Sequence, residues 1–322
     1  MPLRLLFLQL PRLDPDVTSP GENVMSAAAC LRAALERSPE GAHWTFIETP
    51  DAQDGDSDSA LLDRITDLNP DVLSATCYLW NIERTLFFLR LLKKRSPSIR
   101  IAIGGPDIAT NHPLLPPKKQ DCTADALVIG EGETVFPSIL SFFRTGQVPN
   151  FKNVSWRNQD GTWAIGTKSR QVQPLRDLLP APDHPINHPN ASGMAYLETS
   201  RGCPMHCAFC CYNIRRTTTS CLPPEDVEKR IRILRSRGTK EIRLTDPTFN
   251  ANPRFDEIID VMVRENADHG IAFFVEIRAD TLTDDQAKRL AQAGVTEAEV
   301  GVQSTDPQVL KFSTSDKPVV TI

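Results

Sequence analysis

No run of apolar residues in this chain is long enough to cross a membrane. The strongest candidate, Leu86-Phe87-Phe88-Leu89-Arg90-Leu91-Leu92, is broken by arginine and falls far short of the roughly 20 residues a spanning helix needs. An export signal is also missing. The opening Met1-Pro2-Leu3-Arg4-Leu5-Leu6-Phe7-Leu8-Gln9-Leu10-Pro11 sets an arginine before an apolar run, but the run is short, lacks a small-residue cleavage site and reads better as a buried parallel strand. There is no excess of basic charge: 36 Lys and Arg stand against 41 Asp and Glu, a formal net charge of −5. That balance argues against a nonspecific nucleic-acid binder, though not against a local RNA site. Eight cysteines in a chain without an export signal fit a reducing cytoplasm and metal ligation better than a disulfide framework. The 322 residues, 40% hydrophobic and 24% charged, suffice for two domains with their own cores.

Three of the cysteines share one short loop. In Arg201-Gly202-Cys203-Pro204-Met205-His206-Cys207-Ala208-Phe209-Cys210 the spacing C-x-x-x-C-x-x-C offers thiolates to three irons of a cubane and leaves the fourth iron open, where four cysteines would give a saturated electron carrier. Met194 to Thr199 reads as a strand ending at the loop, and Glu225 to Arg237 as the amphipathic helix after it. The loop thus sits at a strand C-terminus, where α/β folds collect catalytic groups. A structural zinc is the competing reading and needs a fourth ligand. Cys211, Cys221 and His206 are available, but no second C-x-x-C pair stands at a fixed distance. Cys30, among alanines, reads as core.

The first 145 residues alternate strand and helix. Strands are expected at Leu3 to Leu10, Trp44 to Glu48, Asp71 to Thr76, Ile99 to Ile103 and Ala126 to Ile129, with helices at Glu22 to Arg37, Leu61 to Leu68, Ile82 to Lys94 and Thr134 to Thr145. Five parallel strands with crossover helices predict a doubly wound, flavodoxin-like or Rossmann-like domain over residues 1–150, binding a ligand at its strand C-termini. Gly104-Gly105-Pro106 and Gly130-Glu131-Gly132-Glu133 follow the fourth and fifth strands and let backbone approach a bulky ligand, or merely close strands onto helices. Residues 151–190 read as a connector, a hairpin around Asn158-Gln159-Asp160-Gly161 and then a proline-dense segment. The rhythm resumes over 191–322, with strands at Glu241 to Thr245, Ala272 to Arg278 and Ala298 to Val302 and helices at Phe255 to Glu265 and Asp284 to Ala293. Burying a carboxylate is costly without a partner, so Glu276 and Arg278 on one strand, and Glu299 with Gln303 on another, call for a functional or a paired-core explanation.

The cysteine loop, with an aromatic residue just before its last cysteine, resembles that of the radical S-adenosylmethionine (SAM) enzymes. Together with the two glycine loops upstream, nearly the whole chain resembles the class that carries an N-terminal cobalamin-binding domain. The resemblance implies a [4Fe–4S] cluster on Cys203, Cys207 and Cys210 whose open iron is chelated by SAM, and reductive SAM cleavage to methionine and a 5'-deoxyadenosyl radical. It further implies a cobalamin cofactor, an external electron donor such as flavodoxin or ferredoxin, and a small-molecule or peptide substrate. Methyl transfer is one outcome. By the same resemblance Phe209, Asp246, Glu276, Arg278, Glu299 and Gln303 line the SAM pocket, and Ser74, Thr76, Gly104, Gly105, Gly130 and Gly132 form the cobalamin rim. The fold implied is a Rossmann-like domain followed by a partial TIM-like barrel with about four of six strands. Three departures stand out: no Asp-x-His-x-x-Gly stretch supplies a cobalt ligand, Thr245 replaces the first aspartate of a frequent pair, and no fifth or sixth strand follows. The last strand would leave an open edge, to be covered by a partner unless the chain is a truncated product. A noncatalytic remnant or corrinoid-binding partner, and a zinc-stabilised interaction module, are the alternatives.

Overall fold

The computed structural model describes residues 1–11, 26–47, 57–109, 115, 122–169, 173–205, 207–210, 212, 219–306 and 308–309. His206 and Cys211, two of the proposed zinc ligands, lie outside them. The chain divides into two compact units, Met1–Gln173 and Pro174–Ile322.

In the first unit β1 (Leu3–Leu8), α1 (Ser26–Glu36), β2 (Trp44–Ile47), α2 (Asp58–Leu68), β3 (Val72–Thr76), α3 (Ile82–Arg95), β4 (Arg100–Gly104), β5 (Ala126–Val128) and α4 (Phe136–Thr145) precede the pair β6 (Val154–Arg157) and β7 (Trp163–Ile165). The sheet order is β2-β1-β3-β4-β5-β6-β7, parallel through β5. Its first five strands have the flavodoxin order, whose ligand crevice opens at the C-terminal ends of β1 and β3. Near-continuous apolar runs such as Leu5-Leu6-Phe7-Leu8, all buried, suit strands covered on both faces. One face packs Leu6, Leu8, Leu73, Ile101 and Ile103 with Leu61, Ile65, Phe88 and Leu92 of α2 and α3. The other packs Leu5, Phe7 and Val72 with Ala28, Leu35, Phe136 and Leu140 of α1 and α4. Helix ends follow local chemistry: Ser57 caps α2 by accepting from the Ala60 N–H, and Gly146 ends α4 at φ 81°.

The hairpin forms as expected, with Gly161 at φ 84° in its turn, but it is part of this sheet and not a free connector. β6 pairs antiparallel with β5, setting Trp156 against Ala126, and β7 pairs with β6. The hairpin thereby covers the edge of β5, which a five-stranded sheet would leave open.

The second unit contains α5 (Leu175–Leu178), β8 (Met194–Leu197), β9 (Ser200–Arg201), β10 (Ser220–Cys221), α6 (Pro224–Ser236), β11 (Glu241–Leu244), α7 (Phe255–Glu265), β12 (Ala272–Ile277), α8 (Asp284–Ala293) and β13 (Val295–Val300). β8, β11, β12 and β13 form a parallel sheet in chain order, the start of a β/α barrel with four strands. β13 begins three residues ahead of the expected Ala298, because Gly294 at φ 91° ends α8 and turns the chain directly into the strand. The proline-dense segment is held by α6: Arg237 donates to the carbonyls of Asp183, His184 and Asn187, and Arg230 to that of Pro180. Prolines supply no N–H for a ladder, so these carbonyls find side-chain donors instead. On the sheet, Ile242, Leu244, Phe273 and Val275 are buried on one face. By alternation and register the opposite face carries Tyr196, Arg243, Phe274, Glu276, Glu297 and Glu299.

Truncating Phe88, fully buried under β3 and β4, removes the largest α3 side chain from the first core. Phe88→Ala should lower the unfolding free energy of that unit by about 3–5 kcal/mol, measured by urea denaturation.

Candidate functional site

The cysteine loop leaves β8 through two anchored turns. Ser200 and Arg201 form the short antiparallel pair β9–β10, which brings Cys221 opposite Ser200, while the Leu222 N–H donates to the Thr199 carbonyl at 2.8 Å. Gly202, at φ 94°, turns the chain into the loop with a backbone conformation that glycine adopts without strain. Cys203 is buried, Cys207 and Cys210 half-buried, and the Cys210 N–H donates to the Cys207 carbonyl at 3.1 Å. The Tyr212 N–H donates to Cys210 Sγ at 3.4 Å, and Cys203 Sγ lies 3.6 Å from Thr248 Oγ1. Burial pushes the Cys207 thiol up, the Arg278 guanidinium pulls it down, and the sulfurs of Cys210 and Cys203 push it up. The three thiols and one arginine therefore lie within electrostatic reach of one another. Among the described residues no three His, Cys, Asp or Glu groups gather around one ion-sized point; a cubane takes each thiolate on a different iron, so its ligands stand apart.

Asp246 follows β11 and has no exposed surface. Its carboxylate accepts from the Thr199 N–H at 2.7 Å, from the Ser200 hydroxyl at 2.6 Å and from the Thr199 hydroxyl, and Asn252 Nδ2 donates to Thr199 Oγ1 at 3.4 Å. Expected on the wall of a SAM pocket, Asp246 is instead turned into the interior and fastens the root of the cysteine loop. In the run Asp246-Pro247-Thr248-Phe249-Asn250, Thr248 and Asn250 make further polar contacts, as does Asn252 just beyond it. Asn250 clamps the Arg278 backbone with two hydrogen bonds, donating to its carbonyl at 2.8 Å and accepting from its N–H at 2.9 Å. The Arg278 guanidinium pairs with Asp280.

The other expected pocket residues separate into two groups. Glu276 and Glu299 face each other across β12 and β13, and burial with the Glu299 charge pushes the Glu276 carboxyl up. On the same face Arg243 lies 3.8 Å over the Phe274 ring and pairs with Glu241 and Glu297. Phe209 is 57% exposed, and Gln303 lies beyond β13 in the left-handed region at φ 62°; neither is drawn into the buried network under the cysteines.

In the first unit Thr76 and Gly104 end paired strands. Gly105, at φ 114°, has space for nothing larger: a Cβ there would lie 2.4 Å from the Cys77 carbonyl oxygen. Gly130 at φ 74° faces open space, and Gly132 packs close to Leu31 while its carbonyl accepts the first N–H groups of α4. Ser74, expected on the rim, lies inside β3 and is buried. In the loop after β3, Tyr78 and Trp80 stack with centroids 4.4 Å apart, and Leu79 and Trp80 are exposed. Asn81, buried, accepts from the Tyr78 N–H at 2.8 Å and donates to the Leu10 carbonyl at 2.9 Å. It ties the loop after β3 to the one after β1 at the mouth of the crevice.

Burial pushes the Asp246 carboxyl from 3.8 to about 6, against the pull of hydrogen bonds from Ser200 and Thr199. The folded state therefore holds this proton more tightly than the unfolded chain. The stability it contributes is complete below pH 3.8 and lost as the pH rises through about 6, a difference of about 3 kcal/mol. Asp246→Asn keeps an acceptor for the Thr199 N–H and stays neutral throughout. The stability of the native protein relative to this variant should fall by that amount across the interval, measured by urea denaturation at a series of pH values.

Comparisons with known proteins match segments in both units. The B12 binding domain model matches residues 19–140 and the Radical SAM superfamily model residues 197–318. A 2-(S-pantetheinyl)-carbapenam-3-carboxylate methyltransferase of Streptantibioticus cattleyicolor is 28% identical over 313 residues, 88% of this chain and 43% of that protein. The cobalamin-dependent radical SAM methyltransferase TokK of Streptomyces tokunonensis is 26% identical over 270 residues, 76% of this chain and 38% of that protein. The structure of the cobalamin-dependent S-adenosylmethionine radical enzyme OxsB with aqua-cobalamin and S-adenosylmethionine bound shares the fold with a TM-score of 0.72 at 17% identity, over 98% of this chain and 46% of that one. The chain spans less than half the length of each of these proteins. Within this chain a segment matched by the B12 binding domain model is therefore followed by one matched by the Radical SAM superfamily model.

Proposed function

We propose that this chain works as a cobalamin-dependent radical SAM methyltransferase, with the cysteine loop as its [4Fe–4S] site. The observation that carries the reading is the placement of three thiols in one anchored loop at the C-terminal end of the first strand of a parallel β/α sheet, the end at which such folds react. The chemistry of the donor set fits a cubane: Cys203, Cys207 and Cys210 supply three thiolates, the Tyr212 N–H supports one sulfur, and Arg278 sets a positive charge beside them. When bound, the cluster and SAM supply reductive cleavage to a 5'-deoxyadenosyl radical, and cobalamin carries the methyl group. The protein's share is to hold, orient and exclude water. Glu276 and Glu299 face each other and provide acceptors for the amino and hydroxyl groups of SAM, with Phe209 and Gln303 closing the pocket. In the first unit Thr76, Gly104 and Gly130 form the corrinoid rim, and the Tyr78–Trp80 stack gives a flat apolar surface suited to a macrocycle. Methyl transfer is preferred to other radical outcomes because three of the four curated relatives are named methyltransferases and one a cyclase. Electrons come from an external donor such as flavodoxin or ferredoxin. We place the protein in the cytoplasm, where its thiols stay reduced; among the described residues no helix is long and apolar enough to cross a membrane.

Anaerobic reconstitution with iron, sulfide and hydroxocobalamin should give a protein that binds corrinoid and, with dithionite, converts SAM to 5'-deoxyadenosine. Alanine at Cys203, Cys207 or Cys210 should abolish iron uptake and SAM cleavage while leaving corrinoid binding intact, followed by iron analysis, product chromatography and the corrinoid absorption spectrum. Bound zinc without labile sulfide in the native protein would contradict the reading.

A further inference from the structure

The exit of β11 makes a row of polar contacts to the cysteine loop, and one of them reaches a thiol. Asp246 and Asn252 take hold of Thr199 and Ser200. Thr248, two residues beyond Asp246, brings Oγ1 to 3.6 Å from Cys203 Sγ, within sulfur hydrogen-bond range. Thr248 also stands at the head of the 3-10 turn Phe249–Ala251, where a threonine side chain ordinarily caps an N–H, yet it makes no such cap. Its hydroxyl instead donates to the Pro247 carbonyl at 2.6 Å, and in its contact with Cys203 either atom can be the donor. Cys203 is the most buried of the three loop cysteines, so this neighbour is not readily replaced by water.

A hydroxyl has one proton and can rotate. Beside a thiol that donates, the proton is given to Pro247. Beside an iron-bound thiolate, which only accepts, the same hydroxyl can turn its proton to sulfur, giving up its bond to the Pro247 carbonyl. Hydrogen bonds to cluster sulfurs help set the reduction potential, because they stabilise the more negatively charged, reduced form. We infer that Thr248 is a positioning residue that donates to the Cys203 thiolate and raises the potential at which the cluster accepts its electron. This rests on the cysteine loop holding a cluster. It adds a residue that the spacing of the cysteines does not reveal.

The test is an EPR-monitored redox titration of the reconstituted full chain, comparing the native protein with Thr248→Val, Thr248→Ala and Thr248→Ser. The valine and alanine variants should show a shift to more negative potential, about tenfold less reduced cluster at a fixed applied potential, equivalent to about 59 mV for a one-electron couple. The serine variant, which retains the hydroxyl, should stay near the native value. Native potentials in the valine and alanine variants would overturn the inference, as would a serine variant displaced as far as they are. Should valine and alanine fail to assemble a cluster while serine succeeds, the hydroxyl contact is supported; failure of all three would assign Thr248 a folding role and overturn it. A native protein that takes up no iron–sulfur cluster would instead defeat the proposed function.

Discussion

A buried carboxylate holds the cysteine loop in place. Three thiolates delivered by a short loop can bind three irons only if the root of that loop is fixed, and the root here is Thr199 and Ser200. Asp246 accepts from both residues, joining the exits of β8 and β11. Burying an acid without partners would cost several kcal/mol, and three donors offset much of that, though the raised pKa shows that the offset is partial. The strand exits are thereby locked to each other before any cofactor binds, the condition for a preorganised site.

The first unit uses the same device with a neutral group. Asn81 is buried and spans the loops after β1 and β3, so the exposed Tyr78–Trp80 stack rests on a fixed base. In each unit one interior polar side chain ties together loops that leave neighbouring parallel strands.

Much of the frame was legible from residues alone. The runs Leu5-Leu6-Phe7-Leu8 and Ile101-Ala102-Ile103 are too continuously apolar for one-sided strands, and the glycines and prolines between periods mark the crossovers. The three loop cysteines stand out by their spacing. Other features depend on which way a side chain turns or on which distant segment it meets. The hairpin at Asn158 to Gly161 is evident locally, but its pairing with β5 is not, since edge pairing joins segments across the chain. Asp246 has the sequence context of a pocket residue; only the path of the chain through Pro247 reveals that its carboxylate faces inward. Ser74 alternates correctly for a strand but sits too deep to reach a rim, and Gly105 is demanded by Cys77 behind it as much as by any ligand in front.

Mössbauer spectroscopy of the iron-reconstituted chain, recorded with and without SAM, tests most directly whether the loop holds a cubane with one accessible iron. One iron site of the four should change its parameters on SAM addition while the three thiolate-bound sites stay as they were. A spectrum indifferent to SAM, or four equivalent capped irons, would contradict it.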